Sequence, residues 1–330
     1  MQFGNLIRKS VLGALAVGTT AVLAATSPVL ADYPERPITM VVGSSPGSGP
    51  DVLARSMSEE LAAALGQPVV VQNKPGAAGN VAAEAVSRGD PDGYEIFIGT
   101  INMAIATWLP AKPPFDPATD FAIVGRVASI PNVVVVSPDL GVNTIEEFVD
   151  LAKSKPGDLN YSSPGVGSLQ HMGTDAMANI HGIDIVHVPY KGGKASTTAV
   201  LAGEVDMFMA GMPPALPQIK AGALIALAVS SAEEFPLLPG VPTLAATVMP
   251  DYSAEAWYGL FMAKGTPPEI VDVVNAAANK ALADPAVAER FASAGAVVQT
   301  STPADFAGFV AQEAERWKTN LEELGLAGTR

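Results

Sequence analysis

The sequence predicts an α/β protein of two units with largely parallel sheets. Three observations support this. Short β-rich runs alternate with amphipathic helical stretches along the chain. One device, a strand followed by a Ser/Pro/Gly loop and a helix, occurs once in each half, with loops at residues 44–49 and 162–168. Beyond an N-terminal leader about 299 residues remain, enough for roughly two domains with sizeable cores.

The leader is read in residues 1–31. Arg8 and Lys9 are its only charges, a mostly apolar run covers 11–25, and Val29-Leu30-Ala31 offers the small residues after which a signal peptidase cuts. The apolar run is short for a membrane span, and Gly18, Thr19 and Thr20 interrupt it. A soluble, exported chain starting near Asp32 is expected. Losing two positive charges and no negative ones takes the formal charge from −14 to −16, which argues against nucleic acid and anionic lipid as partners. A local set of donors can still hold an anion against that screened field. With no cysteine in the chain, disulfides, thiol chemistry and thiolate metal sites are excluded.

The elements follow from local signals. A buried strand at 38–42 leads through the first loop into a helix over about 50–65, then a strand at 69–72. The turn Asn73-Lys74-Pro75-Gly76 precedes a small-residue helix from about Gly79, and a strand at 94–98 follows Asp90-Pro91-Asp92-Gly93. A second cycle is expected from a strand at 133–136. Thr144-x-x-Glu147 marks a capping box, with Ile145, Phe148, Val149 and Ala152 on one helical face behind it. A strand at 159–162, the second loop, a helix to about His181, and strands at 183–188, 205–209 and 224–229 complete that half. The C-terminal third reads as mostly helical. Thr266-Pro267-Pro268-Glu269 and Thr302-Pro303-Ala304-Asp305 are helix starts, and Phe306, Phe309, Val310, Trp317, Leu321 and Leu324 form the docking stripe of the last helix.

Several chemical motifs are incomplete in this chain. Gly43-Ser44-Ser45-Pro46-Gly47 matches a nucleophile elbow, but Pro46 has no N–H for the oxyanion hole, and no histidine occurs after His187 to close the order Ser, acid, His. Gly47-Ser48-Gly49 begins a dinucleotide signature whose sixth position is Val52 and whose ribose acid is missing. His171 and Asp175 share a helical face, yet no His-Glu-x-x-His motif accompanies them, so no metal or other cofactor is expected. What remains is the pair of loops. Each places small residues before a helix N-terminus, where free N–H groups and the positive dipole end favour an anion without Arg or Lys. A cleft between two α/β domains is a preferred place for such a ligand.

Motifs along the mature chain resemble the substrate-binding proteins of tripartite tricarboxylate transporters, the Bug-type extracytoplasmic solute receptors. They are Tyr33-Pro34-Glu35-Arg36-Pro37-Ile38, Asp51-Val52-Leu53-Ala54-Arg55, and the run from Val69 through Asn73-Lys74-Pro75-Gly76 to Gly79. Pro91-Asp92-Gly93-Tyr94, Val188-Pro189-Tyr190-Lys191-Gly192, Gln218-Ile219-Lys220-Ala221-Gly222 and Leu238-Pro239-Gly240-Val241-Pro242-Thr243 continue the match in order. The resemblance implies a two-domain periplasmic binding protein, a Venus flytrap of type II-like form with its ligand cleft between domains. Residues 32–132 and 258–330 would make one domain and 133–257 the other.

It further implies a non-enzymatic periplasmic receptor that captures a small organic carboxylate and delivers it to membrane permease subunits. The ligand would meet Ser44, Ser45, Gly47, Ser48 and Gly49 of the first loop and Gly165, Val166, Gly167 and Ser168 of the second. Thr100, His171, Tyr190, Lys191, Gly192 and Asp206 are the further cleft candidates. The chain departs from the family pattern at Ser48, where a second glycine is usual, and at Gln72, where a glutamate is usual. Two alternatives stand beside this reading: a periplasmic sensor for a signalling partner, and a hydrolase or lyase using Ser45 or His171.

Overall fold

The computed structural model describes residues 33–109 and 113–323, so the leader, its cleavage site and Leu324 lie outside the described residues. The chain opens as read: β1 (Ile38–Val42), α1 (Gly49–Leu65), β2 (Val69–Asn73), α2 (Asn80–Ser87) and β3 (Glu95–Thr100), with a short α3 (Asn102–Ala106) behind it. β1 pairs in parallel with both β2 and β3. That order puts the C-terminal ends of β1 and β3 side by side, where loops from adjacent strands meet.

β4 (Phe121–Val136) departs from expectation. Its pairing extends well upstream of the strand expected at 133–136, because β9 (Glu255–Ala263) runs antiparallel along its first part. Pro131 faces Glu255 at the last step of that ladder, a strand end where a missing N–H is tolerated. From Asn132 onward β4 pairs instead with β7 (Met207–Gly211) and β8 (Ile225–Val229). The sheets are therefore mixed, not largely parallel, around β4 and β9.

Between them come α4 (Ile145–Ser154), β5 (Asn160–Ser163), α5 (Leu169–His181), β6 (Val186–Pro189), α6 (Gly193–Leu201) and α7 (Met212–Lys220). β5 pairs in parallel with β6 and β7. α8 (Pro268–Leu282), α9 (Pro285–Ser293), β10 (Val297–Val298) and α10 (Pro303–Glu323) close the described chain. The strand path is β2-β1-β3-β9-β4-β7-β5-β6, with β8 and β10 also on β4.

Alternation along β4 divides the cores. Val133 and Val135 join the large cluster that includes Ile38, Phe97, Trp257 and Phe261, whereas Val134 and Val136 join a smaller one with Phe148, Tyr161, Met177 and Met209. The capping signals behave as expected with one shift. Thr144 Oγ1 accepts from the Glu147 N–H at 3.2 Å, but Glu147 returns its carboxylate to the N–H of Asn143, one residue before the cap, at 2.7 Å. On α10 the buried stripe is Phe306, Val310, Glu313, Trp317 and Leu321. Glu313 is buried because the Trp257 indole and Arg316 both donate to its Oε2, at 3.2 and 2.8 Å.

Candidate functional site

Six helices begin around one cleft. Gly49 and Pro50 at the start of α1, Gly79 before α2, Asn102 of α3, Gln170 of α5, Gly192 and Gly193 at α6, and Gly211 and Pro214 at α7 all line it. No lysine, arginine, histidine or carboxylate is among its lining residues. Its remaining wall is mainly apolar, with Phe97, Ile98, Met103 and Ala256, while Tyr258 turns its hydroxyl toward the backbone of Gly49. The cavity is narrow: about 60 Å³ is open to the centre of a water molecule, room for roughly four to six water-sized groups. Helix starts carry free N–H groups and a positive partial charge, so this wall is electropositive without a formal cation.

The first loop is clamped from behind. Asp51, 2 % exposed, accepts from the Gly47 N–H at 2.8 Å, Arg55 Nε at 3.0 Å and Asn73 Nδ2 at 2.8 Å. Burial alone would raise the Asp51 carboxyl, but these hydrogen bonds outweigh it and hold the group below the usual carboxylate range. Asn73 Nδ2 also reaches the Ser44 carbonyl at 3.0 Å. Gly43 packs on the backbone of Gly79 so closely that an added Cβ would lie 2.7 Å from its Cα. Ala77 and Ala78 of that neighbouring turn hold left-handed φ values of 45° and 56°. Such conformations are costly for alanine and persist only when the surroundings impose them.

Ser48 is the N-cap of α1, yet its side chain makes no capping bond there. Its Oγ instead accepts from the N–H of Lys194 at 3.1 Å and pairs with Ser45 Oγ at 3.2 Å. Lys194 is the second residue of α6, whose own cap, Gly192, has no side chain. Ser48 thus caps a helix from the other half of the chain. A second bridge runs from the Leu169 N–H at the start of α5 to Asn102 Oδ1, 3.0 Å. Both bridges join walls of the cleft that come from distant parts of the chain.

Of the residues expected at the ligand, Ser44, Ser48, Gly49, Thr100 and Gly192 line the cleft. Ser45 and Gly47 sit behind them, with Ser45 tied to Ser48 and the Gly47 N–H given to Asp51. The second loop is placed differently. Pro164 is its one residue in the lining. Gly165 lies against Ala78, Val166 is 58 % exposed, and the Gly167 N–H donates to His171 Nδ1 at 3.1 Å. Ser168 caps its own helix, accepting from the His171 N–H at 3.2 Å.

His171 does not line the cleft. Its ring stacks on His187 with centroids 4.0 Å apart, and its Nε2 lies 3.3 Å from Asp175 Oδ2. Tyr161 donates to the other Asp175 oxygen, and Ser163 Oγ meets His187 Nε2 at 2.6 Å. Burial pushes both imidazoles down to about 4, with mutual repulsion adding to the effect at His187. His171 is neutral at ordinary pH, and because Nδ1 accepts from Gly167 its proton sits on Nε2. Asp206 bonds the Asn160 N–H at 2.8 Å, joining the strands, and Tyr190 donates to Glu204 at 3.2 Å. Neither lines the cleft, nor does Lys191, which is exposed.

The alternative chemistries find no support in this geometry. Ser45 has a serine, not a histidine, as its side-chain partner. Ser163, beside His187, is fully buried and already bonded to the N–H and carbonyl of Gly165. Among the described residues no cluster of three or more potential ligands could hold a metal, and no helix is long and apolar enough to cross a membrane. Gln170, Asn102 and Tyr258 were not expected at the site. They come from distant parts of the chain, and no spacing connects them before folding.

Comparison with known proteins agrees with this architecture. Protein BugT of Bordetella pertussis is 34 % identical over 324 residues, covering 97 % of this chain and 98 % of BugT. The solved periplasmic binding protein BugD superposes with a TM-score of 0.87 at 30 % identity, covering 90 % of this chain and all of BugD. A protein of R. palustris solved with adipate gives a TM-score of 0.85 at 31 % identity, covering 90 % of this chain and 99 % of that one. Residues 53–326 match the tripartite tricarboxylate transporter family receptor, and the chain belongs to that family, with the fold of the periplasmic binding proteins.

Proposed function

We propose that the chain is a non-enzymatic periplasmic receptor that closes on a small organic carboxylate and hands it to the membrane subunits of a tripartite transporter. The observation that carries this reading is the convergence of six helix starts on a cleft with no charged side chain in its wall. Such a site favours an anion through N–H groups and dipoles, each helix end contributing about 0.3–1 kcal/mol. The adipate-bound relative supports a carboxylate as cargo. The division into residues 32–132 with 258–330 against 133–257 belongs to the same proposal. It is supported by the change of β4's partners after Pro131, from β9 to β7 and β8.

The test is a thermal-shift screen of mono-, di- and tricarboxylates, followed by calorimetry on those that raise the melting temperature. Ligand bound only to the folded state stabilises by about 2.7 kcal/mol at a hundred times its Kd. Stoichiometric binding is expected, with the acid recovered unchanged from the mixture by NMR. Chemical conversion of the acid, or no stabilisation by any carboxylate, would overturn it.

A further inference from the structure

Two side chains of the cleft, one from each half of the chain, carry buried polar atoms without a hydrogen-bond partner: Ser44 Oγ and Gln170 Oε1. Gln170 is 8 % exposed, and its position is fixed from behind. Its Nε2 donates to Asn132 Oδ1 at 3.0 Å, and Asn132 is 1 % exposed. The Asn132 N–H donates in turn to Ser230 Oγ at 2.8 Å, and Ser230 Oγ donates to the Ala254 carbonyl at 2.6 Å. Asn132 lies where β4 changes partners, and Ala254 immediately precedes β9. The amide is therefore held by the part of the sheet that the two halves share.

This anchoring decides what Gln170 offers. One amide N–H of Gln170 goes to Asn132, and the side-chain atom left without a hydrogen-bond partner is its carbonyl oxygen, an acceptor. A carboxylate oxygen brings only lone pairs and cannot satisfy it. A hydroxyl or ammonium on the ligand's carbon chain can. We propose that Gln170 is a specificity-determining residue, its Oε1 accepting a hydrogen bond from a hydroxyl or amino substituent on the bound carboxylic acid. Ser44 Oγ, on the first loop, then serves the acid end. The inference rests on the carboxylate-receptor reading and narrows it, because an unsubstituted acid leaves the buried acceptor unpaired on closure.

Calorimetry with matched acids tests this: succinate against malate and aspartate, and adipate against 2-hydroxyadipate and 2-aminoadipate. The parent protein is expected to bind at least one substituted acid about tenfold or more tighter than its unsubstituted partner. Gln170→Met keeps the length of the side chain and removes the acceptor, so that ratio should fall to within about twofold. A crystal structure of the parent with the tighter acid should place the substituent in hydrogen-bond reach of Gln170 Oε1, which keeps the proposal testable should the variant fail to fold. Ratios near one in the parent, an unchanged ratio in the variant, or a substituent turned to another residue would overturn the inference while leaving the receptor reading intact. If none of these acids binds the parent, the inference falls, while the receptor reading is decided by the wider carboxylate screen.

Discussion

The two Ser/Gly loops look alike in sequence and differ in what their serines do. Each sits between a strand and a helix, with a serine at the N-cap. Ser168 uses its hydroxyl on its own helix, and the loop around it is occupied with His171 and Ala78. Ser48 leaves its own helix uncapped and reaches Lys194 at the start of α6. The same residue type at the same position is thus a structural cap in one half and part of the cleft wall in the other. What separates them is the source of the second helix: α6 starts with Gly192 and Gly193, which offer no side chain for capping, so its end is open to a serine or an anion.

That contrast predicts opposite responses to an added charge. Ser48→Asp puts a fixed negative charge in the cleft wall, and ligand affinity should fall on the order of a hundredfold or more. Its melting temperature should stay within a few degrees of the parent's, because aspartate is a good N-cap and suits the helix dipole. Ser168→Asp keeps its cap and faces away from the cleft, so affinity should change by less than about threefold. Calorimetry on both variants decides it. Equal losses of binding would return both loops to the ligand.

Acid should separate the halves next. His171 and His187 titrate near 4 in the folded state against 6.5 unfolded, so the unfolded chain binds more protons between those values. Their stabilising contribution is present in full above about pH 6.5 and is lost as pH falls toward 4. Asp175 opposes this in part. Burial raises its carboxyl despite the Tyr161 hydrogen bond, so it takes up a proton in the folded state before the unfolded one. Asp51 beneath the first loop is held low and keeps its charge through that range. Hydrogen exchange between pH 7 and 4.5 should show amides of 163–171 losing protection before those of 44–52. His187→Gln should flatten the pH dependence, and an unchanged slope would contradict the assignment.

The smallest effect is the neutral pair. Ser168→Ala should cost about 1 kcal/mol of stability with affinity within about twofold of the parent. Ser48→Ala removes the cap of α6 and should cost a similar amount in urea unfolding, but here ligand affinity should change as well, by about three- to tenfold.

Local signals were legible in the sequence where one element decides its own fate. The Thr144 cap, the prolines opening α8 and the buried strand at 38–42 each found their place. The first part of β4 was hidden because its pairing is with β9, from the far end of the chain. α7 was hidden by Pro213, Pro214 and Pro217, although the first two fall in the opening turn, where proline is tolerated. At the site, the first loop was visible as small residues before a helix. Gln170, Asn102 and Tyr258 were not, because folding brings them to the cleft from distant parts of the chain and no spacing announces it. His171 was misplaced for a related reason: a histidine in the first turn after a glycine loop can face a ligand or turn back under the loop, and here the Gly167 N–H and His187 draw it back.

The most direct test is a crystal structure with a carboxylic acid that raises the melting temperature. A carboxylate is expected within about 3.2 Å of donors from the first loop, Ser44 or Ser48 among them, and of N–H groups at the start of α6. The second loop would contribute no more than contact through Pro164. A carboxylate seated on Gly165, Gly167 or His171, or paired with a lysine or arginine outside the cleft, would contradict it.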